Sequence, residues 1–216
     1  VNGFPVCEAK DIPSLVTKEG VFFDNHVEFV KHFLKGQIAM EDVRRELMAQ
    51  AAKMEKTGLP LTHVDSHQHM HMLPGVIDIS LDVAASLHLD AVRISRTPLF
   101  TAFAGMGQLI GRLGLFTLSE LSLWKAKRRH FRVPDHFEGI VAGEAVHEGH
   151  FLHILKELRP GTTEVMMHPG TDNARLIPAC DWEHDFEAEM QAIVSPKVRR
   201  MIADKAVKVV NYRDLK

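Results

Sequence analysis

One short run of this 216-residue chain holds five side chains, within nine positions, that can bind a metal ion or carry a proton. It reads His63-Val64-Asp65-Ser66-His67-Gln68-His69-Met70-His71. Neutral imidazole is a common ligand of zinc and related divalent ions, and a carboxylate can join it. In extended chain, side chains two residues apart point to the same side, so His67, His69 and His71 are expected to share a face. The run favours metal binding or catalysis over a packed histidine cluster or a surface tract, with some of its histidines supporting the ligands or contacting substrate.

Three other residues have types and positions that suit catalysis or substrate binding. Arg93 lies within the short apolar segment 91–94, and His168 follows the apolar segment 164–167 and precedes Pro169-Gly170. A histidine held at such a tight turn suits a general acid for a leaving group, although a capping or core histidine fits the pattern equally well. His136 is expected in a loop, where it either contacts substrate or forms part of a surface turn.

The elements that must position these residues follow from the spacing of apolar side chains. The pattern predicts helices near 26–35, 40–57, 76–88, 118–131, 149–158, from 186 onwards and at 196–205, and short strands at 61–64, 91–94, 164–167 and 208–211. Strands that alternate with amphipathic helices predict a parallel α/β sheet or barrel, here in one domain spanning 1–216. Catalytic groups of parallel sheets lie at the carboxyl ends of the strands, so the three strand ends that carry His, Asp and Arg are expected on one face.

Composition narrows the classes of function. Hydrophobic residues make up 45% and charged residues 25%, which suits a globular chain that buries a substantial core. A net charge of −2 gives no electrostatic case for binding nucleic acid or an anionic membrane, and the basic run 125–132 is expected to form a solvated helix face with Trp124 packed inward. No apolar run approaches the roughly 18 residues needed to span a bilayer. Two cysteines cannot form a disulfide framework, which favours a reducing, cytoplasmic location.

Four blocks of the sequence resemble the YdjC-like carbohydrate deacetylases, a family that includes chitooligosaccharide deacetylases and relatives associated with hopanoid biosynthesis. The segment 59–71 resembles the family signature PTH-x-DSH-x-H-x-H, and 91–94 resembles its lRip strand. The segment 134–139 resembles its DHF-x-G loop, and 161–170 resembles its G-x-TE-x-m-x-HPG strand. The resemblance covers essentially the whole chain, and it implies a distorted TIM-like α/β barrel of parallel strands with a divalent metal, Mg or Zn, at their carboxyl ends.

The resemblance also implies a reaction, the hydrolysis of N-acetyl groups on amino sugars, with the metal polarising the amide carbonyl and activating water. His67 matches one of the family's three metal ligands. The start of the chain, at 1–6, resembles the family sequence just after its second ligand. By analogy with a barrel of about 250 residues, roughly the first sixty family residues are therefore expected to be missing.

The remaining residues receive roles from the same resemblance. His168 is the candidate acid that protonates the leaving amine or stabilises the oxyanion. Asp65 is expected to orient a ligand histidine, and Arg93 is expected to orient acidic groups or contact substrate. His69, His71 and His136 are assigned to substrate binding. The pair His184-Asp185 departs from the family, where relatives tend to carry Arg before the last helix.

Two other interpretations stay open at this stage. One is a metal-dependent phosphoesterase built on another histidine-rich barrel, which needs more His and Asp clusters at further strand ends than this chain offers. The other is an incomplete fragment or degenerate copy that only binds a sugar or a partner. The missing first strands favour the latter for these 216 residues, which are expected to be inactive alone, whereas an intact parent is expected to be a deacetylase. The oligomeric state is not determined by the sequence.

Overall fold

A computed structural model describes residues 3–96, 109–140, 145–180 and 182–215. Contacts divide the chain into two compact units. The first comprises the described residues of Val1–Ile94 together with Leu118–Val133, and the second comprises those of Ser95–Thr117 and Pro134–Leu215. No helix in the described part of the chain is both long and apolar enough to cross a membrane.

The first unit is built from helices that the apolar spacing predicts well. These are α1 (His26–Leu34), α2 (Met40–Glu55), α3 (Val76–Ser86) and the carboxyl half of α4 (Leu109–Arg128), with 3-10 turns at Ala9–Asp11 and His67–Met72. Asn25 caps α1 because its side-chain oxygen accepts the Glu28 N–H at 3.0 Å. The core forms where α2 packs on α3, with Val43 of α2 buried in it, whereas Met54 near the end of α2 is 45% exposed.

The basic run at the end of α4 is tied to α3 by ion pairs. Lys125 Nζ lies 2.6 Å from Asp78, and Arg129 lies 2.8 Å from Asp82. The prediction that Trp124 packs inward is wrong. Its side chain is 53% exposed, and the Arg128 guanidinium lies 4.8 Å from the centre of its ring.

The two strands predicted in this unit meet at single parallel bridges instead of forming a ladder. Val64 pairs with Val92, and the Arg93 N–H donates to the Val64 carbonyl at 3.0 Å. Ala91 in turn forms a parallel bridge with Arg132. The segments 61–64 and 91–94 therefore lie side by side in the predicted direction, although each contributes only one or two bridging residues.

The second unit contains the two strands that do form a ladder, β1 (His136–Glu138) and β2 (Thr163–Val165). They pair in parallel, with Phe137 opposite Glu164. The helices of this unit are α5 (Glu148–Lys156), α6 (Asn173–Cys180), α7 (Phe186–Val194) and α8 (Pro196–Asp204), of which α6 is not predicted by the apolar pattern. The structure is thus of mixed α/β type with a two-stranded parallel sheet among the described residues, and it does not show a TIM barrel.

Two predictions in the second unit are wrong. The segment 136–138 is a strand rather than a loop, and 208–211 forms no strand, the chain instead ending in a 3-10 turn at Tyr212–Asp214. Gly139 explains how β1 approaches β2 so closely. It has φ +101°, and a Cβ added there would lie 2.2 Å from the Met166 carbonyl oxygen.

Candidate active site

The histidine-rich run folds into a compact turn rather than an extended strand. Residues His67–Met72 form a 3-10 turn in which Gln68 and His69 have φ of +54° and +57°, in the left-handed region. The prediction that His67, His69 and His71 share one face is therefore wrong. His67 is exposed, His69 is half-buried and His71 is only 2% exposed.

His71 holds this turn closed from the inside. Its backbone N–H donates to Ser66 Oγ at 2.9 Å, and its Nδ1 lies 2.8 Å from the same oxygen. Its Nε2 lies 2.7 Å from the Arg93 carbonyl oxygen, which can only accept, so Nε2 carries the proton and Nδ1 accepts from the serine hydroxyl. Burial lowers the pKa of His71, which favours this neutral form. Both ring nitrogens are thereby used within the fold, and His71 supports the turn.

Asp65 and Arg93 come together as an ion pair on the same segments. The guanidinium of Arg93, whose side chain is 18% exposed, donates to the Asp65 carboxylate. The backbone bridge between Val64 and Val92 fixes the two residues on adjacent segments. Arg93 is therefore paired with the carboxylate of a neighbouring segment, and the role predicted for it toward substrate stays a prediction.

His67 lies on the wall of a cavity of about 580 Å³ in this unit. The cavity is lined by Asp65, Ser66 and Glu46 together with apolar side chains, among them Phe22, Phe23, Phe29 and Met70. Although the His67 side chain is exposed, partial desolvation is the main cause that lowers the pKa of its ring below the ordinary value, and a lowered pKa favours the neutral form that a ligand or base requires. Within the described residues, however, His67 does not belong to a group of three donors close enough to share one ion.

In the second unit, His168 follows β2 and is fixed by a buried carboxylate from α7. The His168 backbone N–H donates to Glu189 Oε2, and the Val146 N–H donates to Oε1 at 2.8 Å. Glu189 is 1% exposed. His184, also buried, places its Nε2 3.2 Å from Glu189 Oε1. One carboxylate therefore joins the end of β2, the segment before α5 and the segment before α7.

His168, His184 and Glu189 offer donor atoms that all lie within 4.8 Å of one another, and they are the three-donor group found in the described part of the chain. Two imidazoles and a carboxylate are a ligand set that zinc accepts. The sequence analysis did not select Glu189. Its position three residues after Phe186, on the apolar face of α7, nevertheless indicates a buried carboxylate that needs a partner.

An aromatic cluster surrounds His168. The Trp182 indole stacks on the His184 imidazole, with ring centres 4.1 Å apart and an angle of 23°. The same indole meets the His168 ring edge to face, with centres 5.0 Å apart. Gly170 lets the turn after His168 approach this cluster, because a Cβ there would lie 2.9 Å from that of Phe186.

His136 lies at the opposite end of the short sheet from His168. It pairs with Thr163 at the start of the ladder, whereas His168 follows five residues later, about 16 Å along extended chain. Its Nε2 donates to the Pro160 carbonyl at 3.1 Å. The structure therefore does not bring His136 to His168. Glu138, which the sequence analysis did not select, lies at the carboxyl end of β1, and burial raises its pKa.

Comparisons with known proteins give consistent matches. The family model described as YdjC-like protein matches residues 1–204. The chain is 29% identical over 240 residues to the carbohydrate deacetylase of Mus musculus, an alignment that covers 99% of this chain and 75% of that protein. It is 23% identical over 215 residues to the carbohydrate deacetylase of Brevibacillus brevis, and that alignment covers 99% of this chain and 74% of the relative. It is 26% identical over 189 residues to the chitooligosaccharide deacetylase of Serratia marcescens, covering 83% and 63%.

Proposed function

Because the chain belongs to the YdjC-like protein family, we propose that it acts as a carbohydrate deacetylase that hydrolyses N-acetyl groups of amino-sugar oligosaccharides or glycoconjugates. The names of its relatives support the reaction, and one of them supports an oligosaccharide substrate. The observation that carries the proposal is that Glu189 fixes the backbone of His168, three residues after the end of β2. The match of one family model to residues 1–204 supports the further proposal of a single TIM-like barrel domain. The two free cysteines, Cys7 and Cys180, support a cytoplasmic location.

His168 is assigned the proton transfer in this reaction. Amide hydrolysis requires a proton on the leaving nitrogen, and a histidine delivers it well near neutral pH because its pKa lies there. The Glu189 carboxylate holds the His168 backbone after β2 through the His168 N–H. Asp65 and Arg93 form a charged pair suited to orienting polar groups of a substrate, and His69 is assigned a substrate contact.

The proposed reaction includes a divalent ion, magnesium or zinc, which would polarise the acetyl carbonyl and acidify water. His67 is the proposed ligand, and the lowered pKa of its ring favours ligation. The described residues do not place His67 in a three-donor group, so this part of the chain does not fit a complete metal centre at that residue. That observation favours a second candidate function, a module that binds N-acetylated sugars without hydrolysing them.

Acetate release from N-acetylglucosamine oligomers, with added zinc or magnesium, separates the two functions. For a deacetylase, His168→Ala is expected to lower turnover by about 10²- to 10⁴-fold with unchanged bound metal, because it removes a proton donor. His67→Ala should lower both turnover and metal content. His153→Ala, which removes an exposed histidine on α5 that has no role in the proposed reaction, is the matched control. Equal loss of metal in His168→Ala would make that residue a ligand, and sugar binding without acetate release would favour the binding module.

A further inference from the structure

The aromatic cluster contains an exposed tryptophan that the proposed reaction does not use. Trp182 lies in the segment between α6 and α7, and its side chain is 40% exposed. The His184 imidazole covers one face of the indole at 4.1 Å, and the Phe186 ring meets it edge on, with centres 5.6 Å apart. The side chain stays 40% exposed although His184 covers one face, so part of the indole is open to solvent. The indole is thus a fixed, half-open aromatic surface.

This surface borders His168. The two rings are 5.0 Å apart and nearly perpendicular, at 87°. The centre of the His168 ring also lies 5.4 Å from the centre of the His184 ring, on which the indole stacks. A flat ligand resting on the open side of Trp182 would therefore lie within reach of the proposed proton donor.

The chemistry of the surface selects the kind of ligand. The face of an indole is electron-rich, so it attracts the polarised C–H bonds that line one side of a pyranose ring. Glu183 directly follows Trp182 and Asp185 lies three residues after it, and both are exposed, which opposes the approach of an anionic ligand. A neutral sugar, such as an N-acetylated hexosamine, meets no such repulsion. Because the indole is held in place by His184, little conformational entropy is lost when a ligand stacks on it.

We propose that Trp182 is a stacking platform for a neutral pyranose ring of the substrate and delivers the acetamide of that sugar, or of its neighbour, to His168. This inference rests on the proposed function, whose substrate class it narrows to uncharged N-acetylated amino-sugar oligomers. Trp124 provides a natural contrast. It is also exposed, but the Arg128 guanidinium lies 4.8 Å from the centre of its ring, so a cation–π contact within the protein already occupies one face of Trp124.

The chain has two tryptophans, which allows each to be observed alone by fluorescence. Trp124→Phe leaves Trp182 as the reporter, and Trp182→Phe leaves Trp124. Titration of the whole chain with the tetramer of N-acetylglucosamine is expected to give a saturable change in the Trp124→Phe variant and none in the Trp182→Phe variant. Trp182→Ala should weaken binding of the tetramer roughly tenfold, measured by calorimetry, which corresponds to about 1.4 kcal/mol. Trp182→Phe should retain most of the affinity because it keeps an aromatic face.

The outcomes separate this inference from the proposed function. A saturable Trp182 response without acetate release would support the platform and overturn hydrolysis. Acetate release with no Trp182 response, and with unchanged affinity in Trp182→Ala, would overturn the platform and leave hydrolysis intact. In an active chain, the expected pattern is a raised KM with little change in kcat for Trp182→Ala and rescue by Trp182→Phe. Equal losses in the Phe and Ala variants would show that Trp182 serves the fold rather than the sugar.

Discussion

Replacing the buried Glu189 with glutamine is the sharpest test of how His168 is held. The Glu189 carboxylate is buried and accepts two backbone N–H groups, one from Val146 at 2.8 Å and one from His168. Glutamine has nearly the same shape but carries one oxygen and one NH₂ group. One of the two backbone donors would therefore face another donor.

The cost of Glu189→Gln follows from these contacts. A hydrogen bond to a charged group contributes about 1.5–3 kcal/mol, and a buried N–H left without an acceptor costs about 1–3 kcal/mol. Because the two effects overlap at the same donor, we expect the free energy of unfolding to fall by roughly 2–4 kcal/mol rather than by their sum. The substitution should also loosen His168 and lower turnover in an active enzyme.

Urea denaturation followed by Trp182 fluorescence measures this loss locally. In the Trp124→Phe background, the signal comes from a ring whose centre is 5.0 Å from that of His168. Two compact units need not unfold together, so a reporter within the second unit is required. The midpoint should fall in Glu189→Gln with little change in the slope of the transition.

Glu148→Gln is the matched control for this substitution. The Glu148 carboxylate also accepts two hydrogen bonds, from Ser195 Oγ at 2.6 Å and Lys197 Nζ at 2.8 Å, but the Lys197 side chain is 75% exposed. Because the Glu148 side chain is itself 39% exposed and glutamine can still accept from Ser195, the midpoint of the control should stay near that of the parent. If Glu189→Gln unfolds at the same urea concentration as the control, the buried carboxylate does not hold the end of β2 and the reasoning fails.

Two further predictions concern His71 and Gly139. Folding lowers the pKa of His71, so its contribution to stability is complete above the pKa of unfolded histidine, about 6.5, and is lost as the pH falls through the lower folded value. Unfolding followed by Trp124 fluorescence should show that the free energy of unfolding of the parent falls as the pH is lowered, and that it falls less in His71→Gln. The same pH dependence in both proteins would contradict a lowered pKa of His71 as the cause. Gly139→Ala should lower stability by at least about 2 kcal/mol, because alanine is strained at a φ of +101° and its Cβ would meet the Met166 carbonyl. Melting followed by Trp182 measures this loss, and a stable Gly139→Ala variant would show that the β1–β2 approach is not fixed there.

The helices are the elements that local sequence predicts best in this protein. The apolar spacing placed α2, α3 and α7 close to their observed bounds, and Pro196 marked the start of α8. Each backbone hydrogen bond of a helix joins residues four apart, so the information lies within the segment. The same locality explains the partial error at α4, whose apolar Gly-containing start at Leu109 gave no clear periodicity.

The strands show the opposite case. The segment 136–138 is a strand only because 163–165 lies beside it, and His-Phe-Glu carries little strand preference of its own. The segment 208–211 reads as an apolar strand, yet Val209 is 75% exposed and no ladder forms there. Strand formation depends on partners far away in the chain, which a single segment cannot reveal.

The sequence by itself determined most of the helices, though not α6 or the start of α4, together with the direction in which 61–64 runs beside 91–94 and the motif blocks that carry Asp65, His67 and His168. Only the tertiary structure decided what those residues touch. It turned the histidine run into a closed turn around His71, because Ser66 and the Arg93 carbonyl satisfy both of its ring nitrogens. It also brought Glu189 to the His168 backbone from 21 residues away. Residue types and their spacing indicate which chemistry is available. The partner of a buried polar group, however, depends on how the segments pack, and that packing depends on the whole chain.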